Sequence, residues 1–483
     1  MLVKNSKKVD LISSKSIKQL IKKRWIIVIS ALILTGLGAA LAGVLFKNGV
    51  HILDDWRLKL LKEFPPWLVL PIMGGMGGII SGLLIKHIAP SASGSGVSHI
   101  MAFLRHKPVP MGLKVGLTKL IAGIVAIGSG FPLGPEGPAV QMGGSVAWQM
   151  AKWLKAPIAF RRVIVAAGGG AGIAAIFSAP IGGFVYAIEE LLNSARPVVL
   201  LLVVVTTFWA DTWADVLQSL GLYSNTVGFD SNLGFQLEKQ YSTNIQFLPI
   251  DLSYLIILGI ITSLLAELYC RYVLNMQKQG LILFGKSIVS KMAICGIVLG
   301  FMYAFLPETF HNLGELQKSI ALGNVNIVTA INTFLILFIS TGLAAASGAP
   351  GGLFYPMLTL GGSVGLCCGI FFESFTGHIP TSIIFAGMGG FVASCSRTPI
   401  TAMFLAFALT KDLLILKPIL ITCVVSFLTS QIFSEDSIYE RQIKMESNRQ
   451  KYISEKTISK RYFLKSILKR FQRNTFTTPP KEN

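Results

Sequence analysis

Residues 129–146 read SGFPLGPEGPAVQMGGSV, and 218 positions further on residues 347–364 read SGAPGGLFYPMLTLGGSV. Ser129/Ser347, Gly130/Gly348, Pro132/Pro350, Gly134/Gly352, Pro138/Pro356 and the whole GGSV tetrapeptide match, nine identities in eighteen positions without a gap. At a shift of 219, SAPIGGFVYAIE (178–189) faces RTPITAMFLAFA (397–408), sharing the proline and a helix-like continuation. A chain of two related halves follows. One asymmetry stands out. The first copy holds an acid, Glu136, in GPEGP, whereas the second, GLFYP, has Phe354 at that position.

The surroundings of that acid are those of a membrane. The chain has 483 residues, 52% hydrophobic and 14% charged, where a soluble protein carries about 25% charged residues. Mean hydropathy is +0.63. Apolar runs near the length needed to span a bilayer, about 20 residues, recur at Ile26–Phe46, Trp67–Ile85, Val198–Leu220, Leu248–Tyr272, Met292–Leu306 and Ile327–Ala346. The fold class expected is all-α and multi-pass. The first run is longer than the core of a cleaved signal, roughly 7–15 residues, and its basic leader is long, so it reads as a retained helix.

The net charge of +20 lies mostly in the tails. Residues 1–24 carry eight Lys/Arg against one acid, and residues 440–483 carry twelve against four. Such tails beside spanning segments follow the positive-inside pattern and predict two cytoplasmic termini; attraction to anionic lipid is a second use. No nucleic-acid recognition module accompanies the charge. The stretch 224–247 has one basic residue, Lys239, and reads as non-cytoplasmic. Each half then crosses the membrane an odd number of times, so the halves lie upside down relative to each other. Inverted repeats with broken helices are a recurrent transporter architecture. The organisation expected is a basic N-terminal segment (1–24), a first membrane repeat (25–222), a linker (223–247), a second repeat (248–440) and a basic tail (441–483). Gly134–Leu154, Gly168–Leu192, Gly351–Phe372 and Ile384–Leu409, punctuated by Gly or Pro, read as too short or interrupted to span. Irregular backbone at membrane depth is tolerated where protein buries it or water reaches it.

Three glycine-rich turns, GSGVS (94–98), GPEGP (134–138) and GLFYP (352–356), each precede a helical pattern. Proline at the first helical position costs nothing, because that N–H is unpaired anyway. The other glycines mostly serve close helix packing. As phosphate loops they fail, having neither the lysine nor a preceding strand. A helix N-terminus offers free N–H donors and about half a positive charge. Three of them converging would replace a small anion's hydration shell without a full positive charge in contact, and the anion could leave again.

These turns resemble the GSGIP, GxEGP and GxFxP motifs of the CLC family of chloride channels and chloride/proton antiporters, in the same order and spacing, with the resemblance running from about residue 26 to 440. It implies an inverted-repeat fold with re-entrant helices, of the prokaryotic type without nucleotide-binding modules after the membrane part, and a homodimer with one anion pathway per subunit in a bacterial plasma membrane. It also implies that the hydroxyls of Ser95 and Tyr439 and the backbone N–H groups of Leu353 and Phe354 bind the anion. Glu136 falls at the gating glutamate, and Glu190, in SAPIGGFVYAIEELL, at the antiporters' internal proton acceptor. Serine at position 95 matches chloride-preferring members. Taken alone, Ser95 is a helix cap, Tyr439 an interfacial anchor, and Glu189 and Glu190 acids at a helix end.

A carboxylate beside an anion site competes for it when ionised and withdraws when neutral, and an apolar surrounding favours the neutral form. Two such groups reached from opposite sides, Glu136 and Glu190, make exchange of chloride for protons the expected function; a passive chloride channel of the same fold is the alternative. Departures from the family pattern are Pro135, where Arg or Lys is common, Ser98 in place of proline, and Ala408 in place of an acid. A cation-coupled symporter would expose more intramembrane acids. An intramembrane protease would need a Ser/His or paired-Asp constellation, and the six histidines fall near segment ends or loops. The six cysteines lack metal-ligand spacing and read as buried apolar residues. No enzyme activity, metal or cofactor is expected; chloride is the transported ligand.

Overall fold

The computed structural model describes residues 14–194, 196–220, 249–285, 287–376, 382–410 and 412–448. The linker 223–247, residues 1–13 and residues 449–483 of the two expected tails lie outside the described residues. The first half runs α1 (Ser14–Glu63), α2 (Pro66–His87), α3 (Gly96–Leu104), α4 (Leu113–Gly128), α5 (Glu136–Trp153), α6 (Ile158–Phe177), α7 (Pro180–Tyr186) with a π-turn over Ala187–Leu192, and α8 (Pro197–Ser219). The second runs α9 (Pro249–Phe284), α10 (Ile288–Ala304), α11 (Leu313–Ala321), α12 (Ile327–Ser347), α13 (Phe354–Thr376), α14 (Ile383–Ser396), α15 (Pro399–Thr410), α16 (Leu416–Gln431) and α17 (438–448). Among the described residues eight helices are long and apolar enough to cross a membrane.

The repeat read from the sequence reappears in the packing. Helix α5 opens at Glu136 and α13 at Phe354, 218 residues apart, and Gly134 and Gly352 form an antiparallel bridge between the copies. Two short helices of nine residues, α3 and α11, stand at equivalent places. Helix α6 ends at Ser178 with φ +48°, and α14 ends at Arg397 with φ +63°. Each left-handed residue is followed two positions later by the proline that opens the next helix, so the chain breaks at the same point in each half. Close approach is repeated as well. A Cβ on Gly143 would strike the Gly168 carbonyl, and one on Gly361 the Gly387 carbonyl. Helices α5 and α6, like α13 and α14, therefore pack backbone to backbone, which small residues permit in an apolar solvent. Helices α2 and α10 cross in the same manner through Gly74 and Gly296.

Burial sorts the helices into centre and perimeter. In the apolar window of α6 89% of residues are buried, against 39% in that of α8. Outward faces carry Trp67, Leu201 and Leu264, side chains suited to lipid. Two expectations need correction. Helix α13 runs uninterrupted for 23 residues instead of being broken, because Gly361 and Gly365 face α14 rather than opening a turn. Pro138 and Pro356 stand third in their helices, not first. At the third position too proline gives up nothing, since all N–H groups of the first turn lack an intrahelical partner. Helix α10, which covers most of the expected run Met292–Leu306, has 17 residues, at the lower end of the spanning range.

Candidate functional site

The site is built where the two copies touch. Gly134 and Gly352 exchange N–H···O bonds of 2.9 and 2.8 Å, and α5 and α13 leave from that crossing. Glu136, first residue of α5, is fully buried, and its Oε1 accepts the Phe354 N–H at 2.5 Å. The acid of one copy is thus bonded by the backbone of its own counterpart in the other. A Cβ on Gly352 would collide with this carboxylate, and one on Gly137 would press on Gly351. Glycine at 352 is what lets the carboxylate lie across the start of α13. Glu136 Oε2 is buried with no hydrogen-bond partner among the described residues.

Ser95 occupies the N-cap position of α3, yet its hydroxyl caps nothing and its Oγ is buried without a partner among the described residues. The cap reading of Ser95 therefore fails. Gly94, with φ +68°, donates its N–H to Gly348 O at 2.9 Å, and Gly96 rests on the Gly137 backbone. The loop is thereby fastened to both copies. Ser98, which replaces the motif's proline, donates to Ser95 O at 3.1 Å and closes the first turn. Tyr439 is fully buried in the first turn of α17, its ring centroid 5.9 Å from that of Phe354 and its hydroxyl without a partner among the described residues. The interfacial-anchor reading of Tyr439 fails with it. Leu353 and Phe354 are both buried beside Glu136. The structure thus brings Ser95, Glu136, Leu353, Phe354 and Tyr439 around the first turns of α5 and α13. Glu190 stands apart.

Glu189 and Glu190 lie in the π-turn after α7, a backbone form associated with functional positions. They separate cleanly. Glu189 accepts Thr401 N–H at 2.8 Å, Thr401 Oγ1 at 2.7 Å and Ile400 N–H at 3.3 Å, so it caps the start of α15. Glu190 is buried, and its Oε1 accepts from Ser437 Oγ at 3.2 Å, two residues before Tyr439.

A cavity of about 370 Å³ opens beside Pro135. Its walls include Pro135 and Tyr355 but none of Ser95, Glu136 and Tyr439. Lys47, Arg57 and Lys318 line it, with Asp54, Asp55 and Glu315. These cations come from α1 and α11 and are matched by as many acids. Arg57 pairs with Asp54 and donates to Gly128 O at 3.4 Å and His311 O at 3.1 Å, joining α1 to both halves.

Two further groups escaped the reading of motifs. Lys119 of α4 is fully buried, its Nζ 3.1 Å from Gly94 O and 3.2 Å from His99 Nδ1. A lysine amine does lie behind the GSGVS loop, bonded to the carbonyl of the residue before Ser95. A lone lysine in LTKLIAGIV was its signal. Tyr186, fully buried at the end of α7, sets its ring edge-on to Phe354 at 5.8 Å, and its hydroxyl has no partner among the described residues.

Fold and centre together define an integral multi-pass membrane protein built from two inverted repeats, with broken helices meeting around a buried acid. The family of voltage gated chloride channels matches residues 77–431, and the chain belongs to it. It is 28% identical over 419 residues to the H(+)/Cl(-) exchange transporter ClcA of Cronobacter sakazakii, covering 84% of this chain and 87% of that one. To ClcA of Vibrio cholerae it is 26% identical over 434 residues, with 87% and 89% covered. A crystal structure of a slow cyanobacterial chloride/proton antiporter superposes with a TM-score of 0.78 at 26% identity, over 88% of this chain and 99% of that one. A eukaryotic CLC transporter shares the fold, with a TM-score of 0.72 at 21% identity over 87% of this chain and 74% of that one.

Proposed function

We propose that the protein exchanges chloride for protons across a membrane. The observation that carries this reading is the Glu136 carboxylate lying on the Phe354 N–H, a donor that an anion at the start of α13 would use. Ionised, Glu136 and an anion compete for one position; neutral, the side chain gives up its charge-assisted bond and the anion can enter. Ser95 and Tyr439 hydroxyls and the N–H groups of Leu353 and Phe354 bind the chloride. Helix N-termini offer partial charge, which holds an anion loosely enough for release. Glu190, buried at a separate place, receives protons from the opposite side. Exchange rather than passive conduction is favoured by this second buried acid and by the exchange activity of the named relatives.

The protein works as a homodimer with one pathway per subunit, with both termini in the cytoplasm of a bacterial cell and the membrane part in its plasma membrane. It has no enzymatic step and uses no metal or cofactor. Purified protein in liposomes under an imposed chloride gradient, followed with a pH electrode, tests the central claim. Uphill proton movement is expected. Chloride flux with no proton movement would replace exchange by the passive channel.

A further inference from the structure

The geometry points to Tyr186 as the side chain that passes protons between Glu190 and Glu136, a positioning and relay role that rests on the exchange reading above. Tyr186 stands four residues before Glu190 along α7 and the π-turn, one helical turn away. Its ring meets Phe354 edge-on at 5.8 Å, and the Phe354 N–H holds the Glu136 carboxylate. The residue therefore touches the surroundings of both acids. Both carboxylates act electrostatically on its hydroxyl, Glu190 more strongly than Glu136. Of the two carboxylates, Glu136 acts the more strongly on Tyr439. Tyr439 thus belongs with the anion-binding hydroxyls, and Tyr186 lies towards the second acid.

A fully buried phenol with no partner is unusual, because buried hydroxyls are nearly always hydrogen-bonded. The Phe354 ring that it meets offers no side-chain acceptor. A tyrosine hydroxyl has one donor and two acceptor positions, which suits a group that hands on a proton without itself becoming charged. In the step we infer, the protonated carboxyl of Glu190 gives its proton, through water, to the Tyr186 oxygen. At the same time the O–H proton of Tyr186 leaves, through water, for the Glu136 carboxylate. Glu190 ends as a carboxylate, Glu136 as an acid and the tyrosine as it began. One proton has moved and no other bond has changed. Rotation of the phenol O–H resets the relay.

Tyr186→Phe keeps the ring and its edge contact and removes the hydroxyl alone, so a purely structural role would leave transport unaltered. In liposomes, wild-type exchange is measured first; its absence would remove the exchange reading itself, independently of Tyr186. Given exchange, the proton flux per chloride in Tyr186→Phe is expected to fall by about tenfold or more, the scale of losing a positioned proton carrier. Chloride flux should persist and chloride affinity by calorimetry should stay within about twofold, less than one good hydrogen bond to an ion would supply. Tyr186→Met, which also lacks the hydroxyl, should behave alike and guards against a packing artefact of either variant. Unchanged coupling in both variants would overturn the relay. A fall in chloride affinity with coupling intact would overturn it too, making Tyr186 an anion ligand.

Discussion

Replacing Glu136 by alanine isolates what the carboxylate does. Its bond from the Phe354 N–H, 2.5 Å long, is charge-assisted when the acid is ionised, and such bonds contribute about 1.5–3 kcal/mol. Chloride that must displace it binds more weakly by that amount; taking about 2 kcal/mol, the factor is roughly 30 in apparent affinity. In Glu136→Ala the competitor is gone, so chloride affinity at neutral pH should rise roughly 30-fold by titration calorimetry. The sign with pH follows. Competition comes from the ionised form, so it is full at high pH and fades as pH falls. Wild-type affinity should climb towards that of the variant on acidification, while the variant stays flat. In liposomes the same variant should leak chloride at a rate insensitive to pH and move no protons. A well-folded variant with unchanged affinity at neutral pH, or one with no chloride flux at all, would refute the competition argument.

Glu190→Ala should stop proton movement while chloride flux continues, measured by paired pH and chloride electrodes; loss of both together would count against a separate proton route. Gly352→Ala drives a methyl group into the Glu136 carboxylate, displacing it without removing the acid. Its chloride flux should lose pH dependence as in Glu136→Ala, and retention of the wild-type pH profile would show that the carboxylate does not rest there. Glu189→Ala removes the cap on α15 and should destabilise the protein by about 1–2 kcal/mol, lowering its thermal midpoint while the ratio of protons to chloride holds. A changed ratio would put Glu189 in the proton route.

Much of this protein is legible in its sequence because duplication leaves a local record. The 218-residue repeat aligns Gly134 with Gly352 and Glu136 with Phe354, and both pairs meet in space. Glycine and proline punctuation marks the helix starts, since the backbone has few other ways to turn inside an apolar slab. Glycine alone is ambiguous, however. It breaks chains and it lets helices touch, and in α13 the second use prevails because α14 packs on that face. The partners of Glu189 and Glu190 were equally hidden. Adjacent in the chain, they point to partners 212 and 247 residues away, Thr401 and Ser437.

From the sequence alone come the membrane class, the inverted duplication, the three glycine turns and the acid present in only one copy; each is a matter of composition or of spacing along the chain. The tertiary structure decided which polar groups lie near one another. It put Phe354's N–H on Glu136, left the Ser95 and Tyr439 hydroxyls without partners among the described residues, set Lys119 behind the loop, gathered three cations and three acids at the cavity beside Pro135, and set the Tyr186 ring against Phe354. Those relations join residues far apart in the chain, and only packing sets them. In an apolar solvent a buried polar group must find its partner within the fold, so where the partner comes from is a property of the whole fold.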